Sequence, residues 1–79
     1  MLTHFSFQTL FFVVTMNEAE RTEFLKRIGA LIKDAREKNG MTPADLARKT
    51  NTERSTIARM ESGRTNPTAV TLKIVCDAL

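Results

Sequence analysis

The residues with chemistry to offer are concentrated between positions 48 and 64. Five are basic (Arg48, Lys49, Arg54, Arg59, Arg64) and two acidic (Glu53, Glu61), a local net of +3 that equals the net charge of the whole chain. Arg54, Ser55, Ala58 and Arg59 have neighbours among themselves at separations of one, three and four, so on a helix they share a face, with Ile57 and Met60 on the other side. Such a face donates hydrogen bonds: each arginine presents a planar fork of N–H groups, and serine adds a hydroxyl. It fits a groove about 12 Å wide such as the major groove of B-DNA. Taken without context, the same cluster is also what an ordinary solvated charged surface looks like.

Catalysis and metal binding have far less to work with. One histidine (His4) and one cysteine (Cys76) cannot supply the Cys and His ligands of a structural zinc site. Thr, Ser, Asp and Glu are present, but no His or Cys lies near a base, no paired-carboxylate pocket is apparent, and the chain lacks the length to build one, which argues against an enzyme. No glycine-rich phosphate loop is present, and no cofactor or small-molecule ligand is implied. A single cysteine also excludes an intramolecular disulfide framework, and Cys76 reads as a small core residue.

Four helices account for the positioning of the basic face. Asn17 is a plausible N-cap, with Glu20 three residues on as in a capping box. Phe24, Leu25, Ile28, Leu31, Ile32 and Ala35 then form one apolar stripe, and Asn39-Gly40 is a strong stop, which predicts a first helix over about 18–38. Thr42 caps a second, with Pro43 at its first position and Asp45 complementing its dipole. This helix is short enough that packing must hold it, through Leu46, Ala47 and Thr50. Asn51 suits the left-handed conformation of a tight turn. A third helix is predicted over about 53–61, with Ile57 and Met60 inward and Ser62-Gly63 ending it. After Arg64-Thr65-Asn66-Pro67, Thr68 caps a fourth, with Ala69, Leu72, Val75, Cys76 and Leu79 as its buried stripe. Val70 and Ile74 fall off that stripe.

The chain has 79 residues, a mass of 8.9 kDa and a pI near 9.5. That length holds one small domain, which buries only about 60–65% of its unfolded surface. Its composition breaks at Met16-Asn17. Residues 1–16 carry no Lys, Arg, Asp or Glu, and hold four of the five phenylalanines (Phe5, Phe7, Phe11, Phe12). We therefore divide the chain into an uncharged apolar extension, 1–16, and a domain, 17–79. The apolar run Leu10 to Val14 is too short to cross a bilayer, and no Lys or Arg precedes Arg21, against a signal peptide. Phe5 and Phe7 alternate with Ser6 and Gln8 as in a strand. Three readings stand for the extension: an edge strand for a partner chain, a hydrophobic arm over an exposed face, or a non-native leader upstream of a start at Met16.

Two short helices joined by a tight turn describe a helix-turn-helix. The string TPADLARKTNTERSTIARMESGRTNP closely resembles the phage-repressor family of that motif (lambda-repressor-like, Cro-type or XRE). The matching features are Leu46-Ala47, Asn51, Ser55-Thr56-Ile57, Met60-Glu61, Gly63, Pro67, Leu72 and Ala78-Leu79, with Ile28 and Arg36 upstream. The resemblance covers about 28–79, and it rests on joint spacing, since no one residue is diagnostic. It implies an all-α domain of four helices, lacking the fifth helix that the family normally adds after positions matching Ala78-Leu79.

The resemblance implies base-edge contacts by Arg54, Ser55 and Arg59, and phosphate contacts by Thr42, Thr56, Ser62, Arg64 and Thr65. It also pairs Glu61, an acidic residue at the inward end of the recognition helix, with Arg36 as a structural salt bridge; unpaired, it would be costly to bury. Pro43 stands where the family usually has Gln, so one phosphate clamp is lost. Glu53 stands where the family usually has Ser or Thr. It either serves the helix dipole or accepts from cytosine N4 as a specificity filter.

The function implied is sequence-specific binding of double-stranded DNA in the major groove by a transcriptional regulator, a repressor, working as a homodimer in the cytoplasm of a bacterium or phage-infected cell, at the nucleoid. No membrane partner is implied. Two other readings stand beside it: the same fold used as a protein-interaction or antitoxin module, and a truncated fragment with weak DNA binding.

Overall fold

Four capped helices succeed one another in the computed structural model, which describes residues 16–79. The readings of the apolar extension, including the strand around Phe5 and Phe7, fall outside the described residues. The helix expected over 18–38 is α1, Glu18–Lys38; Asn17 Oδ1 accepts from the Glu20 amide at 2.8 Å and Glu20 Oε1 accepts from the Asn17 amide at 3.2 Å. Helix α2, Pro43–Thr50, starts on a second reciprocal cap, in which Thr42 Oγ1 accepts from the Asp45 amide and Asp45 Oδ2 from the Thr42 amide. Helix α3 is Arg54–Glu61 and α4 is Ala69–Ala78, the latter capped by Thr68 Oγ1. Glu53 lies just outside α3, as its extended N-cap, one position short of the start expected.

α1 packs on α3, and α2 packs on both α3 and α4. The core is Ile32 from α1, Leu46 and Ala47 from α2, Ile57 and Met60 from α3, and Val75 from α4, with Ile28, Met41, Leu72, Ala78 and Leu79 half-buried around it. Every helix thus contributes to one cluster. The two eight-residue helices, too short to hold alone in water, are fixed by burial of Leu46 and Ile57, both fully out of solvent. Thr50 is buried in the same place, its hydroxyl donating to Leu46 O at 2.8 Å.

Two parts of the expected core are corrected. Phe24 and Leu31 are exposed, at 50% and 61%. The contact line on α1 runs through Leu25, Ile28, Gly29, Ile32 and Arg36; at roughly 100° per residue Phe24 and Leu31 lie a quarter-turn round from it. One neighbouring helix covers only the narrower line. Cys76 and Ala69 are also exposed, because the inward line of α4 runs through Leu72, Val75 and Leu79. Val70 and Ile74 are exposed, as their positions off the stripe require.

Candidate nucleic-acid interface

The connection from α2 to α3 is made by backbone geometry. Asn51 adopts the left-handed conformation (φ 54°, ψ 44°), and the Thr52 amide donates back to Ala47 O at 2.9 Å. This is a Schellman-type ending, which satisfies the terminal carbonyls of α2 while reversing the chain. Three residues after α2 ends, Arg54 begins α3.

The far end of α3 is held against α1. Arg36 Nε donates to Glu61 Oε2 at 2.7 Å and Nη2 to Glu61 Oε1 at 3.1 Å, while Nη1 donates to Met41 O at 2.7 Å. One guanidinium therefore ties α1 to the end of α3 and to the loop before α2. The hydrogen bond that Arg36 donates to Glu61 raises the Arg36 pKa above its ordinary value, outweighing burial, which acts the other way. Gly29 makes the same junction close: a Cβ there would lie 2.4 Å from Met60 O and 2.6 Å from Glu61 O. Gly63, at φ 75°, lets the chain leave α3 against the backbone of Lys26, which a Cβ would approach to 2.7 Å.

With Ile57 and Met60 buried, Arg54, Ser55, Ala58 and Arg59 are all exposed on the outer side of α3. Around its C-terminal end the polar side chains form a series. Arg59 Nη2 lies 3.5 Å from Thr56 Oγ1, Ser62 Oγ donates to Arg59 O at 3.1 Å, and Arg64 Nε donates to Ser62 Oγ at 2.9 Å. Thr56, Arg59, Ser62 and Arg64 are thus brought together. Thr65 follows them half-buried, and Thr42 stands apart at the start of α2. The Thr42 hydroxyl accepts from the Asp45 amide at 3.1 Å.

A helix-turn-helix family model matches residues 32–79, more than half of the chain. This chain belongs to the helix-turn-helix family. It is the lambda-repressor-like type that the motif resembles, an all-α fold of DNA-binding regulatory domains. No curated protein and no solved structure matches it.

Within this helix-turn-helix, two basic residues of the 48–64 cluster make contacts inside the domain. Lys49 Nζ donates to Ala78 O at 3.2 Å, at the end of α4, and Arg48 is ion-paired with Asp45. The other basic groups of that cluster, on and after α3, are Arg54, Arg59 and Arg64. The Thr42 backbone and side-chain hydrogen bonds hold the Asp45 carboxyl below its ordinary range, with Arg48 adding to the effect. Among the described residues, no cluster of His, Cys, Asp and Glu is arranged to hold a metal, and no helix is long and apolar enough to cross a membrane.

Gly29 was not among the residues singled out from the sequence, although a signal was there. Glycine in a helix interior costs roughly 0.5–1 kcal/mol relative to alanine, so Gly29 in the middle of a 21-residue helix marks a close approach.

Proposed function

We propose that residues 17–79 bind double-stranded DNA sequence-specifically as a homodimer and repress transcription, in the cytoplasm of a bacterium or phage-infected cell, at the nucleoid. The observation that carries this reading is the exposed donor face of α3 in a helix-turn-helix whose recognition helix is locked at its inner end by Arg36 and Glu61. A recognition helix must keep its side chains in register with base edges, and a bidentate clamp restricts rotation of α3 about its axis.

Arg54, Ser55 and Arg59 contact base edges, the arginines suited to guanine O6 and N7. Arg64, steadied by Ser62, contacts phosphate together with Thr42, Thr56 and Thr65. Ser62 already spends its proton on Arg59 O, so its part is to hold Arg64. One eight-residue helix reads only a few base pairs, which calls for two copies on half-sites about one helical turn apart.

Selection of binding sites from a randomised duplex library by the full chain tests the proposal. The expected result is a palindrome with fixed half-site spacing, bound more weakly as salt rises from about 50 to 200 mM. Affinity that does not change with salt, or no enriched sequence, overturns it.

A further inference from the structure

The family pattern expects a Ser or Thr cap at the position that Glu53 fills, and here the cap interaction is absent. Glu53 sits at the N-cap of α3 in extended conformation (φ −88°, ψ 150°), and its side chain makes no capping hydrogen bond. Its backbone is nevertheless fixed, because its carbonyl accepts from the Thr56 and Ile57 amides at 3.0 and 3.2 Å. The carboxylate is exposed, and its one hydrogen-bond contact among the described residues is Ser55 Oγ, 3.5 Å from Oε2. The backbone of an acceptor-only residue is therefore fixed, with its carboxylate in solvent, at the start of a helix that otherwise donates through Arg54 and Arg59.

We infer that Glu53 is a specificity-determining residue that reads the 4-amino group of a cytosine in each half-site. The inference rests on the DNA-binding reading above. In the major groove, cytosine offers an N–H donor at N4, whereas guanine offers two acceptors and thymine an acceptor and a methyl group. Adenine offers a donor at N6, but its N7 lone pair stands beside it and repels a carboxylate. Glu53 thus accepts from cytosine and disfavours the other three bases. The Ser55 hydroxyl lies 3.5 Å from one carboxylate oxygen, which leaves the other for the base. A helix dipole also favours an acid here, but it confers no preference among DNA sequences, which separates the two roles.

The test is parallel site selection with the full-length protein and its Glu53→Gln and Glu53→Ala variants. The wild type should enrich cytosine at one position of each half-site by about five- to a hundredfold. Glu53→Gln should move that preference to adenine, whose N6 and N7 a carboxamide can bridge, and Glu53→Ala should abolish it at that position alone. A second measurement keeps the wild-type chain and alters the DNA: pyrimidin-2-one, which is cytosine without its 4-amino group, should bind like a mismatch. Identical preferences in all three proteins, or equal affinity for cytosine and pyrimidin-2-one, overturn the role of Glu53 while leaving DNA binding intact. A wild type that enriches no sequence overturns the DNA-binding reading and this inference together.

Discussion

Arg36 and Glu61 meet through two parallel hydrogen bonds with both side chains more than nine-tenths out of solvent. Removing one member leaves the other charge buried without a counter-ion, a change that costs about 3–5 kcal/mol in comparable pairs. Glu61→Ala should therefore destabilise the domain by that amount in a urea titration, and Arg36 would also lose what holds its fork toward the Met41 carbonyl. A change below about 0.5 kcal/mol is the behaviour of an exposed pair and would contradict the burial.

Gly29→Ala separates two opposing effects. Helix propensity alone predicts a gain of about 1 kcal/mol. Against that, the new Cβ would press on the backbone carbonyls of Met60 and Glu61 at 2.4 and 2.6 Å, which cannot swing aside as a side chain can. Overpacking of this kind costs about 1–3 kcal/mol, so the melting temperature should fall. The exposed neighbour Ala30 supplies the control: Ala30→Gly should cost about 1 kcal/mol from propensity alone. If Gly29→Ala stabilises the protein, α1 and α3 are not in backbone contact there.

Acid should weaken the start of α2. Asp45 has its pKa lowered in the folded chain by hydrogen bonds from Thr42. A carboxyl with a depressed folded pKa adds stability that is fully present above its unfolded value, near 3.8, and is lost as pH falls through the folded one. Thermal melts from pH 7 downward should therefore show an acid limb beginning near the ordinary carboxylate range. Asp45→Asn, which keeps an acceptor for the Thr42 amide but cannot titrate, should make that limb shallower. An unchanged limb would assign the acid sensitivity to other carboxyls.

What the sequence made legible follows from how local each interaction is. Asn17 with Glu20 and Thr42 with Asp45 are three-residue relationships, and both capping boxes or their parts could be read directly. Ile57 and Met60 were legible as inward because a helix of eight residues has only one way to bury two large apolar side chains spaced by three. Phe24, Leu31 and Cys76 were misplaced because the width of a buried stripe depends on how many neighbours reach it, a tertiary fact. On α1 that neighbour is chiefly α3, and on α4 it is α2. The capture of Lys49 by Ala78 O, across 29 positions, has no local signature at all. Of the candidate interface, the face of α3 was legible from spacing. The linkage of Arg59, Ser62 and Arg64 was not, because it depends on Gly63 turning the chain back beside Lys26.

The donor groups on and after α3 should separate into two kinds when removed one at a time. Arg59 lies on the exposed helical face, with its guanidinium near Thr56 Oγ1, and reads bases in the proposed complex. Its replacement by alanine should cost about 1–3 kcal/mol on the preferred site and flatten the preference at one base pair. Arg64 lies beyond the helix and is steadied by Ser62, so it meets phosphate, which is the same for every sequence. Arg64→Ala should weaken all duplexes about equally and reduce the slope of log affinity against log salt by about 1. Ser62→Ala should produce a weaker form of the Arg64 effect, since it removes the hydroxyl that orients the guanidinium but leaves the charge. Fluorescence anisotropy at several salt concentrations, on a selected and a scrambled duplex, measures all three. If Arg64→Ala changes the sequence preference while Arg59→Ala changes only the salt slope, the two roles are exchanged, and the groove is approached by the segment after α3 in place of its outer face.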